Sequence, residues 1–152
     1  MADKHLKEIL DMAIRFETEA CEFYAHAAEI AHDPSAKVLL KEFANIELKH
    51  KEKLEKFNLD EIAEEHHIVQ HTHDIHVDQY LLDKGINTDS TVQDIMVHAM
   101  KREQKAFEFY DNMLKVVTDV SVRNLFEELA EEEKEHKVRI ETEYDDVIYK
   151  EN

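Results

Sequence analysis

The stretch FANIELKHKEKL, Phe43 to Leu54, sets Glu47 and His50 on a line that otherwise runs Leu39, Phe43, Leu54, the apolar stripe of a helix. A carboxylate and an imidazole in such a stripe are costly, since an ion taken out of water loses several kcal/mol even after relaxation, unless they share a partner. Upstream, His32-Asp33-Pro34 ends one helix and opens the next, because Asp is a good N-cap and Pro is best tolerated at the first helical position. The predicted second helix therefore runs from Pro34 to about Phe57. The first covers Asp3 to Ala31, with Leu6, Ile9, Leu10, Ala13, Ala20, Tyr24, Ala27 and Ala31 on one face and Asp3 as its cap.

Downstream, the periodicity fails from Asn58 to about Asp89, where the lone Gly85 stands and histidines gather at His66, His67, His71, His73 and His76. This reads as a long connection with a short helical turn at Asp60 to His66. Its histidines form either a solvated segment or a second metal-capture site. A third helix is expected to start near Asp89 or Ser90, with Val92, Ile95, Met96, Ala99, Ala106, Tyr110, Met113 and Val117 on its face. A fourth begins near Asp119 and carries Val122, Leu125, Phe126, Leu129, Ile140 and Val147.

The two halves match at an offset of 86 residues: AIRFETEACEFY from Ala13 lies on AMKREQKAFEFY from Ala99, and KEFANIELKHK from Lys41 on EELAEEEKEHK from Glu127. The fold class that follows is all-α, a four-helix bundle of two duplicated hairpins (3–57 and 89–150) joined by a crossover at 58–88, in one domain spanning 1–152.

Composition narrows the function. One glycine and one proline in 152 residues leave little punctuation for β-hairpins. A net charge of -17 argues against nucleic acid and anionic membrane as partners and suits cations. Neither a membrane span nor a signal peptide is expected. The single cysteine, Cys21, excludes an internal disulfide framework and fits a cytoplasmic location; it reads as a small packing residue. His5, His26, His32 and His98 read as surface residues.

Glu-x-x-His occurs at Glu29, Glu47, Glu64 and Glu133, but only Glu47/His50 and Glu133/His136 are equivalent in the repeat and in line with an apolar stripe. The first and third helices carry one intruder each, Glu17 and Glu103. Counted from the Asp33 turn, Glu17, Glu47 and His50 lie about 24, 21 and 25 Å away at ~1.5 Å per residue. The second hairpin repeats the count from Asp119. Four carboxylates and two imidazoles thus converge at one level, with enough negative charge for two divalent cations. Glu from two helices and Glu-x-x-His from the other two is the ligand set of di-iron and di-manganese carboxylate bundles. Oxygen with imidazole suits iron or manganese, and zinc is also compatible. The competing reading pairs these groups with lysines such as Lys49, Lys51 and Lys134, but a residue two positions from Glu47 points to another face.

With A-x-x-x-E-x-x-A-x-x-F-Y present twice, and EELAEEEKEHK following, the chain resembles the ferritin-like superfamily, most closely its rubrerythrin branch, over nearly all its length outside the His-rich connection. The resemblance implies that Glu47 and Glu133 bridge two metals, that Glu17 and Glu103 each cap one, and that His50 and His136 each bind one. It also implies that Tyr24 and Tyr110 hydrogen-bond just outside these ligands. One cysteine cannot build the rubredoxin-like iron domain that rubrerythrins usually carry, so electrons are expected from a separate rubredoxin-like protein. Rubrerythrins also place an extra glutamate where this chain has Ala106, which brings the ligand set closer to that of bacterioferritin.

The expected activity is that of a di-iron oxidoreductase acting on hydrogen peroxide or dioxygen, with Glu17, Glu47, His50, Glu103, Glu133 and His136 as catalytic metal ligands. The alternative is a ferroxidase or an iron storage and delivery protein, for which the cage-forming members' fifth helix has no length here. A homo-oligomer, by default a dimer, is expected.

Overall fold

The computed structural model describes residues 4–57 and 85–151, with side chains placed from 6 to 57 and 85 to 146. Four helices follow in order: α1 (Lys4–Ile30), α2 (Pro34–Glu55), α3 (Val92–Met113) and α4 (Val120–Glu151). α1 packs along α2 and α3 along α4, and α1 also meets α3, so two hairpins close into an all-α four-helix bundle.

The duplication extends to the turns. Asp33 caps α2 by accepting the Ala36 N–H at 2.9 Å, and Asp119, 86 residues on, accepts the Val122 N–H at 2.9 Å. The end of α1 is closed by Lys37, whose Nζ donates to the carbonyls of Ala28 and Glu29 at 2.8 and 3.1 Å. At the matching place Arg123 donates to the carbonyls of Leu114 and Val117 beyond α3. A cation supplied by the next helix thus takes up carbonyl groups that a helix C-terminus leaves unpaired.

Several boundaries differ from expectation, α1 ending at Ile30 rather than Ala31. α3 starts at Val92 because Thr91 and Asp94 form a reciprocal capping box, while Ser90 and Asp89 are used in a turn with Asn87. α3 ends at Met113, so Val117, buried as expected, sits in the tight turn after the helix rather than on it. α2 stops at Glu55 rather than Phe57. The helical turn expected at Asp60 to His66, the five histidines of the connection and the Asp3 cap lie outside the described residues.

The core is two apolar clusters rather than one. The first gathers Leu6, Ile9, Leu10 and Phe16 with Leu54, Phe109, Phe126 and Leu129; the second gathers Phe23, Tyr24, Ala27 and Leu40 with Phe43, Ile95, Met96 and Ile140. Among the described residues, the buried polar side chains besides Asp119 are Glu17, Glu47, His50, Glu103 and Glu133.

Candidate metal centre

Each helix delivers its polar residue by the same rule, one carboxylate per amphipathic stripe on α1 and α3, and a carboxylate with a histidine one turn later on α2 and α4. All six predicted residues come together in mid-bundle. Potential ligand atoms of Glu17, Glu47, His50 and Glu133 lie within 4.8 Å of one another, and so do those of Glu47, Glu103, Glu133 and His136. Glu47 and Glu133 belong to both groups. The carboxylates supplied by α2 and α4 are therefore common to both groups and could hold two ions at once, while those of α1 and α3 each belong to one group.

Hydrogen bonding fixes the outer oxygens and leaves the inner ones open. The Tyr24 hydroxyl donates to Glu103 Oε1 at 2.5 Å, and the Tyr110 hydroxyl donates to Glu17 Oε1 at 2.6 Å. Each tyrosine thus holds the carboxylate of the other hairpin. One atom of every member of the sextet is then left buried without a hydrogen-bond partner: Oε2 of Glu17 and Glu103, Oε1 of Glu47 and Glu133, and Nδ1 of His50 and His136. Native interiors leave few buried polar atoms unpaired, and six at one place, all good ligand atoms, fit a pair of metal ions.

The imidazoles stand among the carboxylates. His50 Nδ1 lies 3.0 Å from Glu133 and 3.5 and 3.6 Å from Glu47 and Glu17. His136 Nδ1 lies 3.5 Å from Glu47 and 3.8 Å from Glu103. The two rings are stacked, with centroids 5.9 Å apart. Without metal, protons must do the balancing. Burial pulls the imidazoles toward neutrality, but adjacent carboxylates win: Glu17 and Glu47 push His50 up to about 11, and Glu103 and Glu47 push His136 up to about 9. Glu17 and Glu133 are held well above the usual carboxylate range, by burial first and by neighbouring glutamates second. Glu47 goes the other way: burial opposes ionisation, yet contacts with Glu17, His136 and His50 bring its carboxyl below the usual range. Burial, followed by the facing glutamates, raises both tyrosines well above their ordinary value, which keeps the phenols protonated as donors.

Two features escaped the sequence reading. Glu132 Oε2 reaches His50 Nε2 at 2.5 Å on the side away from the other carboxylates, although it sits in the acidic run Glu131 to Glu133 and looks like part of a solvated face. Its four-residue spacing to His136 was the only available signal, and it points to the wrong histidine. His98, expected on the surface, is half-buried, with its ring against Gly85; a Cβ added there would lie 2.1 Å from His98 Cε1. His26 and His32 are exposed as expected. Cys21 is half-buried, and burial raises its thiol pKa, in keeping with a packing role.

An all-α bundle whose four helices bring Glu, Glu-x-x-His, Glu and Glu-x-x-His to one buried level is a ferritin-like carboxylate bundle. A family model described as Rubrerythrin matches residues 8–144, and the chain belongs to the rubrerythrin family. Among solved structures it is similar to a hypothetical protein from Pyrococcus furiosus, with 24% identity, a TM-score of 0.65, and coverage of 92% of this chain and 88% of that one. It is also similar to a two-domain protein from Anabaena variabilis containing DJ-1/ThiJ/PfpI-like and ferritin-like domains, with 20% identity and a TM-score of 0.68. The match takes in 90% of this chain and 38% of that longer one. No curated protein matches the chain. Among the described residues no helix is long and apolar enough to cross a membrane.

Proposed function

We propose that the chain is a di-iron oxidoreductase that reduces hydrogen peroxide, or dioxygen, with electrons from a separate redox protein. The observation that carries this reading is the set of six buried, unpaired ligand atoms, one from each of Glu17, Glu47, His50, Glu103, Glu133 and His136, divided into two groups that share Glu47 and Glu133. Two iron(II) ions held there would supply the two electrons that, with two protons, convert hydrogen peroxide to two waters, each iron becoming iron(III).

The chain's own part is to hold and orient. Tyr110 and Tyr24 pin the outer oxygens of Glu17 and Glu103, so that the free Oε2 of each stays turned inward. Glu47 and Glu133 stand between the two groups and keep both positions close together. The apolar clusters above and below, with Phe43 and Leu129 at their inner edges, exclude bulk water and strengthen every electrostatic contact in between.

One observation favours a second reading. Ala106, where rubrerythrins place an extra glutamate, is buried at 9% exposure, and the remaining sextet is a ligand set shared with bacterioferritin-like ferroxidases. Oxidation of iron(II) for storage or delivery would use the same site without a protein electron donor.

Metal content after anaerobic iron(II) loading and desalting tests the site. The wild type is expected to hold about two irons per chain, as carboxylate bundles of this ligand set do, and a Glu47→Ala/Glu133→Ala variant none. Retention of iron by the variant would overturn the assignment. Rates of oxidation by peroxide and by dioxygen, followed by re-reduction with a rubredoxin-like donor, then separate turnover from storage.

A further inference from the structure

The repeat that builds the site is broken beside it. Glu132 and Ile46 occupy equivalent positions, 86 residues apart, each immediately before the glutamate shared by the two ligand groups. Glu132 reaches across to His50 of the opposite hairpin, with Oε2 at 2.5 Å from Nε2. Ile46 offers no polar atom to His136 and instead packs against the second apolar cluster. Among the described residues, the ion-pair contacts of His136 are all made by Nδ1, and its ring lies against Phe43, with centroids 5.2 Å apart. The residue equivalent to Phe43 is Leu129, so His50 has no matching aromatic neighbour in that place.

Resting on the dinuclear reading above, we propose that Glu132 is a positioning residue that makes the two metal positions unequal, so that the position built on Glu17 and His50 fills first and holds its ion more tightly than the one built on Glu103 and His136. A carboxylate behind one ring nitrogen fixes the tautomer with the proton on that nitrogen, turns the lone pair of the other toward the metal and raises its basicity. For His50, Nε2 faces Glu132 and Nδ1 faces the shared carboxylates. The contact is close but not aligned as a hydrogen bond, and Glu132 Oε2 is counted among the buried, unpaired atoms. Glu132 is 34% exposed, so its stem reaches solvent while the inner oxygen is buried. Among the described residues His136 has no such support, and its side chain is more open, at 12% against 3% for His50.

Stepwise loading of the metal-free, full-length chain with cobalt(II) tests this, because the visible bands of the ion report each site without turnover and native mass counts the ions. Two steps of unequal affinity are expected in the wild type. Glu132→Ala should weaken the first step by ~10–100-fold, the usual cost of losing a carboxylate behind a ligating histidine, and leave the second unchanged. Glu132→Gln, whose amide oxygen can still accept a hydrogen bond from Nε2–H, should recover part of the loss, and Ile46→Glu should tighten the second step. Equal steps in the wild type, or a Glu132→Ala variant that loads like the wild type, would overturn the inference while leaving the dinuclear site standing. So would weakening of both steps in proportion to a lowered thermal midpoint, the mark of a merely structural residue. Failure of the wild type to bind two cobalt ions would overturn both the dinuclear reading and this inference.

Discussion

The Glu47 carboxyl is held below the usual range, while burial pushes those of Glu17 and Glu133 well above it and His50 and His136 are pushed up to about 11 and about 9. A metal ion needs neutral imidazole and ionised carboxylate, so loading must expel the protons of both imidazoles, and the raised carboxyls of Glu17 and Glu133 act in the same direction. The sign follows: lowering the pH adds competing protons and weakens binding, and raising it strengthens binding up to the range where both imidazoles are already neutral. Manganese(II) added to the metal-free protein in an unbuffered cell at neutral pH is expected to acidify the solution, and apparent affinity measured in steps from pH 6 to 8 to rise steadily. A flat profile would contradict this proton balance. The tyrosines make a second prediction at the same scale. Tyr110→Phe frees Glu17 and Tyr24→Phe frees Glu103, each removing a hydrogen bond to a group that can be charged, worth about 1.5–3 kcal/mol. Metal loading should weaken at the matching position in each variant, and iron titrations of the two single variants check whether the losses are separate.

At the scale of elements, most of the pattern was legible because helix periodicity is a strong signal. The spacing of apolar residues located all four helices, the Asp33 cap appears where the sequence put it, and Asp119, expected only near the start of the fourth helix, proves to cap it. What periodicity cannot give is depth. Ala20, placed on the buried face of α1, is only half-buried, and Phe16 and Phe23 take its share of the core, since a bulky ring fills an interface from the flank of a stripe. Nor can it say which carboxylate a tyrosine reaches, because the crossing from Tyr24 to Glu103 depends on how the hairpins dock. Glu132 was invisible for a related reason: an acid next to an acid on a helix looks solvated until the opposite histidine is seen beside it. The caps carry a test of their own. Asp33→Ala and Asp119→Ala should each cost about 1 kcal/mol in urea unfolding. The exposed α2 to α4 pairs behave differently. Arg139 with Glu42 and Lys53 with Glu128 are related by the repeat, yet each should contribute only about 0–1 kcal/mol, falling as salt is added.

For the whole molecule, the site divides the core. Apolar packing lies on both sides of a polar level that contributes little to stability without metal, because burying charges costs about as much as their mutual attraction returns. Replacing all six residues by Leu, together with Tyr24→Phe and Tyr110→Phe so that no phenol is left without an acceptor, should raise metal-free stability by about 1–4 kcal/mol while abolishing metal binding. Thermal and urea unfolding of the metal-free proteins decide it, and a less stable variant would mean that the polar level serves the fold rather than the site.

The crossed tyrosines have a consequence for how such a chain changes over time. Because Tyr24 supports the carboxylate of the second repeat and Tyr110 that of the first, a substitution in either copy is felt in the ligand group that the other completes. Where these contacts cross, neither copy can change without disturbing a position that the other builds. Glu132 crosses as well, to His50 of the first copy, but Ile46 returns no polar contact to the second, so at this pair the dependence runs one way.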